Sequence, residues 1–164
     1  MNAIEQQIKD LNQRYFPQIK RILNKNSYMF SELLEATPQQ DYKEGFDSIF
    51  TFNDIKIPLR IRKYEYAKEY RDVTIRSRTR SNGETEIDKI KQGFGDYYFY
   101  AWECEDRKRL FCYLIFDLKK FNSSGLVLRP SDPDIPNGDG TSFNAYRIFD
   151  LIMANALLIY EGLQ

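Results

Sequence analysis

An arginine-rich stretch carries the clearest chemistry in this sequence. Residues 71–80 read RDVTIRSRTR, with four arginines and no lysine. Alternate side chains of a strand point to opposite faces, so Val73 and Ile75 share one face, while Asp72 and Thr74 share the other face with the arginines that follow. A guanidinium is a planar fork that binds phosphate or carboxylate in a bidentate manner. The pattern therefore favours anion binding.

A second basic strand precedes this one. In IKIPLRIR, residues 55–62, the apolar Ile57, Leu59 and Ile61 alternate with two arginines. Residues 60–80 hold eight cationic residues against three acids, whereas residue 132 onward holds five acids and one arginine. This polarity suits an anionic partner, although a solvated face paired with the acidic segment is the alternative. We predict these phosphate-binding or anion-binding residues: Arg60, Arg62, Arg76, Arg78 and Arg80.

Aromatic residues follow in DYYFYAW, residues 96–102. Alternation places Tyr98, Tyr100 and Trp102 on one face, where they would stack on nucleic-acid bases beside the arginines. The alternative is a core filled with rings.

The composition excludes several kinds of catalysis. The chain has no histidine and two cysteines, Cys104 and Cys112. This excludes Ser-His-Asp and Cys-His nucleophiles, zinc sites that need imidazole and four-thiolate zinc sites. Any catalysis must use carboxylates, Lys, Tyr or Arg, with or without a hard cation such as Mg2+.

The hydrophobic periods predict an α+β fold: a single mixed or antiparallel sheet of five to six strands, flanked by N-terminal and C-terminal helices. In residues 110–116 both alternating sets are apolar, which predicts an internal strand. The length fits a single domain over 1–164, and no signal peptide or membrane span is visible, so we expect a cytoplasmic protein. Helices are predicted at 3–24, 28–36, 84–92 and 142–163, and strands at 46–52, 55–64, 72–78, 96–104, 109–118 and 126–128.

The order helix, three strands, helix, strand over residues 3–104 resembles the core of the PD-(D/E)XK nucleases, a restriction-endonuclease-like arrangement. The resemblance implies Mg2+-dependent phosphodiester hydrolysis. Asp54 takes the first acidic place, but Thr74-Ile75-Arg76 stands where the family has an acidic residue, any residue and Lys. A working site would then recruit Asp72, or Glu86 and Lys89. The implied catalytic residues are Asp54, Asp72, Glu86 and Lys89, and the implied metal ligands are Asp54, Asp72 and Glu86.

Three functions remain open from the sequence. The first is a nucleic-acid-directed protein, a Mg2+-dependent nuclease acting on DNA or RNA. The second is a non-catalytic binding or inhibitor protein of the phage or mobile-element type, which docks nucleic acid or an acidic protein. The third is a binder of a nucleotide or another small anion.

Overall fold

The chain forms two β-sheets with helices around and between them. The computed structural model describes residues 3–26, 34–35, 48–52, 55–81 and 83–162. Within these ranges the predicted α+β class is confirmed, but the strands divide between two sheets and do not form the single sheet that the sequence predicted.

The first sheet is mixed and the second is antiparallel. The first has the strand order β1-β2-β3-β5-β6-β9, with only β3 and β5 parallel. Its strands are β1 (Leu34–Glu35), β2 (Ser48–Phe52), β3 (Ile55–Arg62), β5 (Tyr97–Glu103), β6 (Leu110–Asp117) and β9 (Leu157–Gly162). The second has the order β4-β8-β7, from β4 (Asp72–Arg78), β7 (Asp132–Pro136) and β8 (Ser142–Arg147).

The helices are mostly short. The described residues contain α1 (Ala3–Lys25), α2 (Tyr64–Glu69), α3 (Glu86–Lys91), α4 (Leu118–Ser123), α5 (Ile148–Met153) and a 3-10 turn at Leu126–Leu128. Among these, none combines the length and the apolar character that crossing a membrane requires.

Each face of the first sheet covers a separate core. On one face, Tyr15 and Ile19 of α1 belong to one buried cluster with Leu59 of β3. On the other face, the second sheet and α3 pack against the first sheet, so that Val73 and Tyr100 share a buried cluster. This sheet-on-sheet arrangement places β4 directly opposite the face of β3 that carries its arginines.

Several predicted elements are present. The helices predicted at 3–24 and 84–92 correspond to α1 and α3. β2 and β3 pair as a hairpin, and β5 pairs with β6 as the second hairpin. β6 is internal, between β5 and β9, as its apolar residues on both faces predict.

The third predicted strand, β4, belongs to the second sheet and not to the first. β4 pairs with β8, because the place beside β3 is occupied by β5 and because α2 carries the chain from one layer to the other. The basic residues of β3 and β4 therefore face each other across two layers. The sequence predicted that β3 and β4 belong to one sheet, and this prediction is wrong.

The C-terminal segment also differs from its prediction. Residues 142–163 were expected to form one apolar helix, but they form β8, α5 and β9. α5 ends just before Asn155, which has a left-handed φ of 52°. A short apolar run fits either a helix or a strand, and here pairing with β6 decides for a strand.

Three short segments can also be compared with their predictions. The helix predicted at 28–36 lies mostly outside the described residues, although Leu34–Glu35 is a strand. The strand predicted at 126–128 is a 3-10 turn. Residues 132–136, for which no helix or strand was predicted, form β7.

Gly95 allows the turn that starts β5. Its φ is +83°, and a Cβ there would lie 2.7 Å from Leu118 Cδ1 and 3.1 Å from Pro58 Cγ. Gly95→Ala should therefore lower the free energy of unfolding by about 2–4 kcal/mol, from backbone strain and overpacking together. Chemical denaturation measures this loss.

Gly93→Ala is the matched control. Gly93 also has a positive φ, +87°, but nothing lies within 4 Å of a Cβ added there. Its substitution should cost only about 1 kcal/mol. Equal losses at the two positions would contradict the packing explanation.

Candidate anion-binding site

Side chains form hydrogen bonds with the backbone groups on the edge of β4 that faces away from β8. Arg60 Nη1 donates to the Thr74 carbonyl oxygen at 3.2 Å, and the Thr74 amide donates to the Tyr100 hydroxyl at 3.2 Å. The Arg76 amide donates to Glu86 Oε2 at 3.0 Å. Because buried backbone groups need partners, these three bonds replace a missing neighbouring strand and attach β4 to the first sheet and to α3.

The centre of this attachment is a buried ion pair between Arg60 and Glu86. Arg60 Nη2 lies 2.8 Å from Glu86 Oε2, and the two side chains are 11% and 0% exposed. Glu86 Oε1 accepts a short hydrogen bond from the Tyr98 hydroxyl. Both carboxylate oxygens are thus used by protein donors, which is the condition under which a buried charge is tolerated.

A capping box places Glu86 at the first position of α3. The Thr85 hydroxyl accepts a hydrogen bond from the Asp88 amide at 3.2 Å, and Asp88 Oδ2 accepts one from the Thr85 amide at 3.0 Å. Such a reciprocal cap defines the start of the helix. It therefore determines where the Glu86 carboxylate meets β4.

The four implied catalytic residues have different surroundings. Glu86 is fully buried in the ion pair, Lys89 is half-buried on α3, and Asp72 is half-buried at the start of β4. Asp54 lies outside the described residues. Within the ranges that the structure describes, no three carboxylates or thiolates come together to hold a metal ion. In this arrangement Glu86 ties the two layers together and is not presented to a cation, and the role of Mg2+ stays a prediction.

Arg62 occupies a different setting from Arg60, although it lies on the same face of β3. Its Nη1 donates to the Thr74 hydroxyl through a short hydrogen bond and to the Tyr100 hydroxyl at 3.4 Å. Its guanidinium carbon lies 4.3 Å from the centre of the Tyr66 ring and 5.6 Å from that of Phe143. Arg62 is half-buried, so its guanidinium is held in place and still reaches the surface.

Asp72 lies close enough to Arg62 to interact with it electrostatically. Burial raises the pKa of the Asp72 carboxyl, the charge of Arg62 opposes that rise, and Asp132 adds to it. Burial has the largest effect, because the ionised carboxylate loses water that the single nearby guanidinium does not replace.

The remaining predicted arginines divide by exposure. Arg76 is half-buried and Arg78 is exposed, so both reach the surface along β4. Arg80 is exposed and lies 3.3 Å from Asp139, which bears out, for this residue, the alternative that the arginines pair with the acidic segment. We call Arg62, Arg76 and Arg78 the arginine track. Phe143 relates two of its members, because it pairs with Arg76 in the sheet and also lies near Arg62. Arg78 follows Arg76 on the same strand.

The predicted stacking rings lie in the core. Tyr98, Tyr100 and Trp102 are at most 2% exposed, so the prediction that they stack on bases is wrong, and the alternative of a core filled with rings is right. They face the second sheet and α3, which cover them completely.

Two exposed tyrosines, Tyr66 and Tyr70, lie between β3 and β4. No helix or strand was predicted for residues 65–71, which contain both tyrosines. The signal that identifies it is the alternation of tyrosine with basic residues in KYEYAKEYR, residues 63–71.

Comparison with known proteins adds little. The sequence matches no family model, and no curated protein resembles it significantly. A solved structure described as "Crystal Structure of MepB" aligns with 77% of this chain and 77% of that chain, at 21% identity and a TM-score of 0.35. A likeness at this level carries no argument about fold or function.

Removal of Glu86 should destabilise the fold strongly. Glu86→Ala removes the carboxylate that accepts hydrogen bonds from the Arg60 guanidinium, the Tyr98 hydroxyl and the Arg76 amide. We expect a loss of about 3–5 kcal/mol in the free energy of unfolding, measured by urea denaturation. Glu84→Ala, at an exposed position two residues earlier, should change it by less than about 0.5 kcal/mol.

A double variant separates charge from packing. Replacing both partners, as Arg60→Met with Glu86→Leu, removes the unpaired charge and should recover part of the loss seen in Glu86→Ala. A double variant less stable than Glu86→Ala would show that the hydrogen bond from Arg60 to Thr74 matters more than the ion pair.

Asp72 should make stability depend on pH in a defined direction. A carboxyl whose pKa is raised by folding stabilises the folded state only while protonated, so this contribution disappears as the pH rises through its folded pKa. Asp72→Asn should therefore raise the Tm at pH 7, and its difference from wild type should shrink as the pH falls towards about 3.5. Thermal unfolding monitored by circular dichroism across this range checks the trend.

Asp88→Asn is a control of opposite sign. The pKa of Asp88 is lowered, chiefly by the hydrogen bond from the Thr85 hydroxyl. Its substitution should lower the Tm at pH 7, with a smaller loss in acid. An Asp72→Asn protein less stable than wild type at pH 7 would mean that attraction to Arg62 outweighs the cost of burial.

Proposed function

We propose that this protein binds nucleic acid through the arginine track, with Arg62, Arg76 and Arg78 contacting phosphate groups. The observation that carries the proposal is the setting of Arg62. Its guanidinium lies against Tyr66 and donates to two hydroxyl groups. A guanidinium that is already oriented loses little conformational entropy when it binds an anion.

The donors of Arg62 also suit this role. Both of its hydrogen bonds use Nη1, one of the three nitrogens of the group. Among the described residues, its Nε and Nη2 have no hydrogen-bond acceptor. A phosphate oxygen that reached this edge would find a bidentate pair of donors.

Surface charge around the track supports the same conclusion. Arg78 is exposed and, within the described part of the chain, has no ion-pair partner.

Cys104 and Cys112 are free thiols, which fits the cytoplasmic location that the sequence leads us to expect. Binding without catalysis is the simplest use of such a surface.

A Mg2+-dependent nuclease is the second candidate, and the position of Asp72 favours it. Asp72 lies close enough to Arg62 of the arginine track for the guanidinium charge to lower its pKa, and the charge of Asp132 raises that pKa. Mg2+ is commonly held by one or two carboxylates together with phosphate oxygens of the substrate. Asp72 would supply one such carboxylate, while Arg62 would bind the phosphate.

Arg78→Gln should weaken binding of a labelled 20-nucleotide single strand, measured by fluorescence anisotropy. We expect affinity to fall by about 3- to 10-fold at low salt, because one phosphate contact is lost. The slope of log affinity against log salt should also decrease by about 1, because fewer counterions are released.

Lys119→Gln is the matched control. Lys119 is exposed and lies 3.1 Å from Asp96, which accepts a hydrogen bond from the Lys56 amide. Lys56 lies six residues before Arg62 on β3, or roughly 20 Å along the strand. The control should leave affinity unchanged, and equal losses in the two variants would contradict a localised site.

The same samples decide between the two candidates. Cleavage that requires Mg2+ and disappears in Asp72→Asn would favour the nuclease. Salt-dependent binding without cleavage favours the binding protein. Binding of polyglutamate in place of nucleic acid would indicate an acidic protein partner and would overturn the proposal.

A further inference from the structure

We infer that Tyr66 and Tyr70 form a stacking platform that makes the ligand of this site single-stranded nucleic acid. This inference rests on the proposed function, because it specifies which nucleic acid the arginine track binds. Aromatic rings beside cationic groups bind single strands by stacking on bases while the cations follow the phosphates.

Tyr66 is an exposed ring on a fixed support. Its side chain is 44% exposed, and the Arg62 guanidinium lies over the ring at 4.3 Å. Arg62 is itself held by the Thr74 and Tyr100 hydroxyls, which belong to the two different sheets. The guanidinium lies over one face of the ring, so a base would stack on the opposite face. A ring that is already immobilised loses less entropy on binding.

Tyr70 adds a second exposed ring one helical turn further along. It is 55% exposed, and its amide donates to the Tyr66 carbonyl oxygen at 2.9 Å. The opposite side of α2 is anchored, because Ala67 is buried and Tyr64 packs edge-on against Phe111 with 6.3 Å between ring centroids. Exposed Tyr66 on α2 and exposed Tyr70 directly after it are therefore carried by a packed helix.

The charges around α2 match the phosphate backbone. Lys63, Lys68 and Arg71 are all exposed and alternate with the tyrosines. Glu65 lies 3.6 Å from Arg107, so its negative charge is partly balanced. A strand whose bases stack on the tyrosines would have cationic groups on both sides for its phosphates.

The location of these rings distinguishes them from ordinary exposed apolar residues. Single exposed hydrophobic residues are common and need no explanation. Of the large exposed hydrophobic residues in the described ranges, Tyr66 and Tyr70 alone lie in the basic segment, and the others lie between residues 128 and 160. That later segment carries most of the acids of the C-terminal part.

Stacking also explains why the ligand is single-stranded. In a duplex the base faces are covered by their neighbours, whereas a single strand exposes them to aromatic side chains. The arginine track by itself would bind either form, since phosphate contacts carry no such preference.

Fluorescence anisotropy with labelled oligo(dT), oligo(U) and a duplex tests the platform. Tyr66→Ala should weaken binding of the single strands by about 5- to 150-fold. Duplex binding should fall far less, because the Thr74 and Tyr100 hydroxyls still hold Arg62 when the ring is gone. Tyr66→Phe, which keeps the ring, should bind like wild type. The salt slope should stay the same in both variants, because no phosphate contact is removed. The two single strands show whether DNA or RNA is preferred.

Tyr160→Ala is the control, since Tyr160 is 45% exposed but lies on β9. It should leave binding unchanged. Tyr70→Ala keeps the test decisive if Tyr66→Ala does not fold, because it should also weaken single-strand binding selectively.

The outcomes separate this inference from the proposed function. If Arg78→Gln weakens binding but neither tyrosine variant does, the platform is wrong and the arginine track stands. Losses that are equal for single strands and duplex also overturn the platform. Wild-type protein that binds no nucleic acid overturns both.

Discussion

The structure depends most on the buried ion pair between Arg60 and Glu86. These residues come from β3 and α3, and both also bond to the backbone of β4. The pair therefore joins the first sheet, the second sheet and α3 at one point. A buried carboxylate is costly unless every acceptor is used, and here Arg60, Tyr98 and the Arg76 amide use them.

This constraint determines which groups remain for binding. Arg60 and Glu86 are buried where the two layers meet, whereas Arg62, two residues further along β3, is only half-buried. The same strand face thus supplies one arginine for stability and one for the surface. The tyrosines divide similarly: Tyr98 and Tyr100 fill the core beside the pair, and Tyr66 and Tyr70 remain outside.

Much of the local structure was predictable because it depends on local patterns. Alternation identified β3 and β4, a helix was predicted at 84–92 where α3 lies, and the apolar faces of β6 placed it inside a sheet. The C-terminal segment was not predictable in this way. A continuous apolar run is compatible with helix or strand, and pairing of residues 157–162 with β6 depends on a partner more than 40 residues away.

The sequence by itself determined the class of fold, the polarity of charge along the chain and which side chains share each face of β3. Only the tertiary structure decided which of those faces is covered. A strand pattern shows which side chains lie together, but it does not show whether another layer packs over them. Because β4 left the first sheet and packed across it, the rings of β5 became core, Glu86 became the partner of Arg60, and Arg62 remained at the surface beside Tyr66.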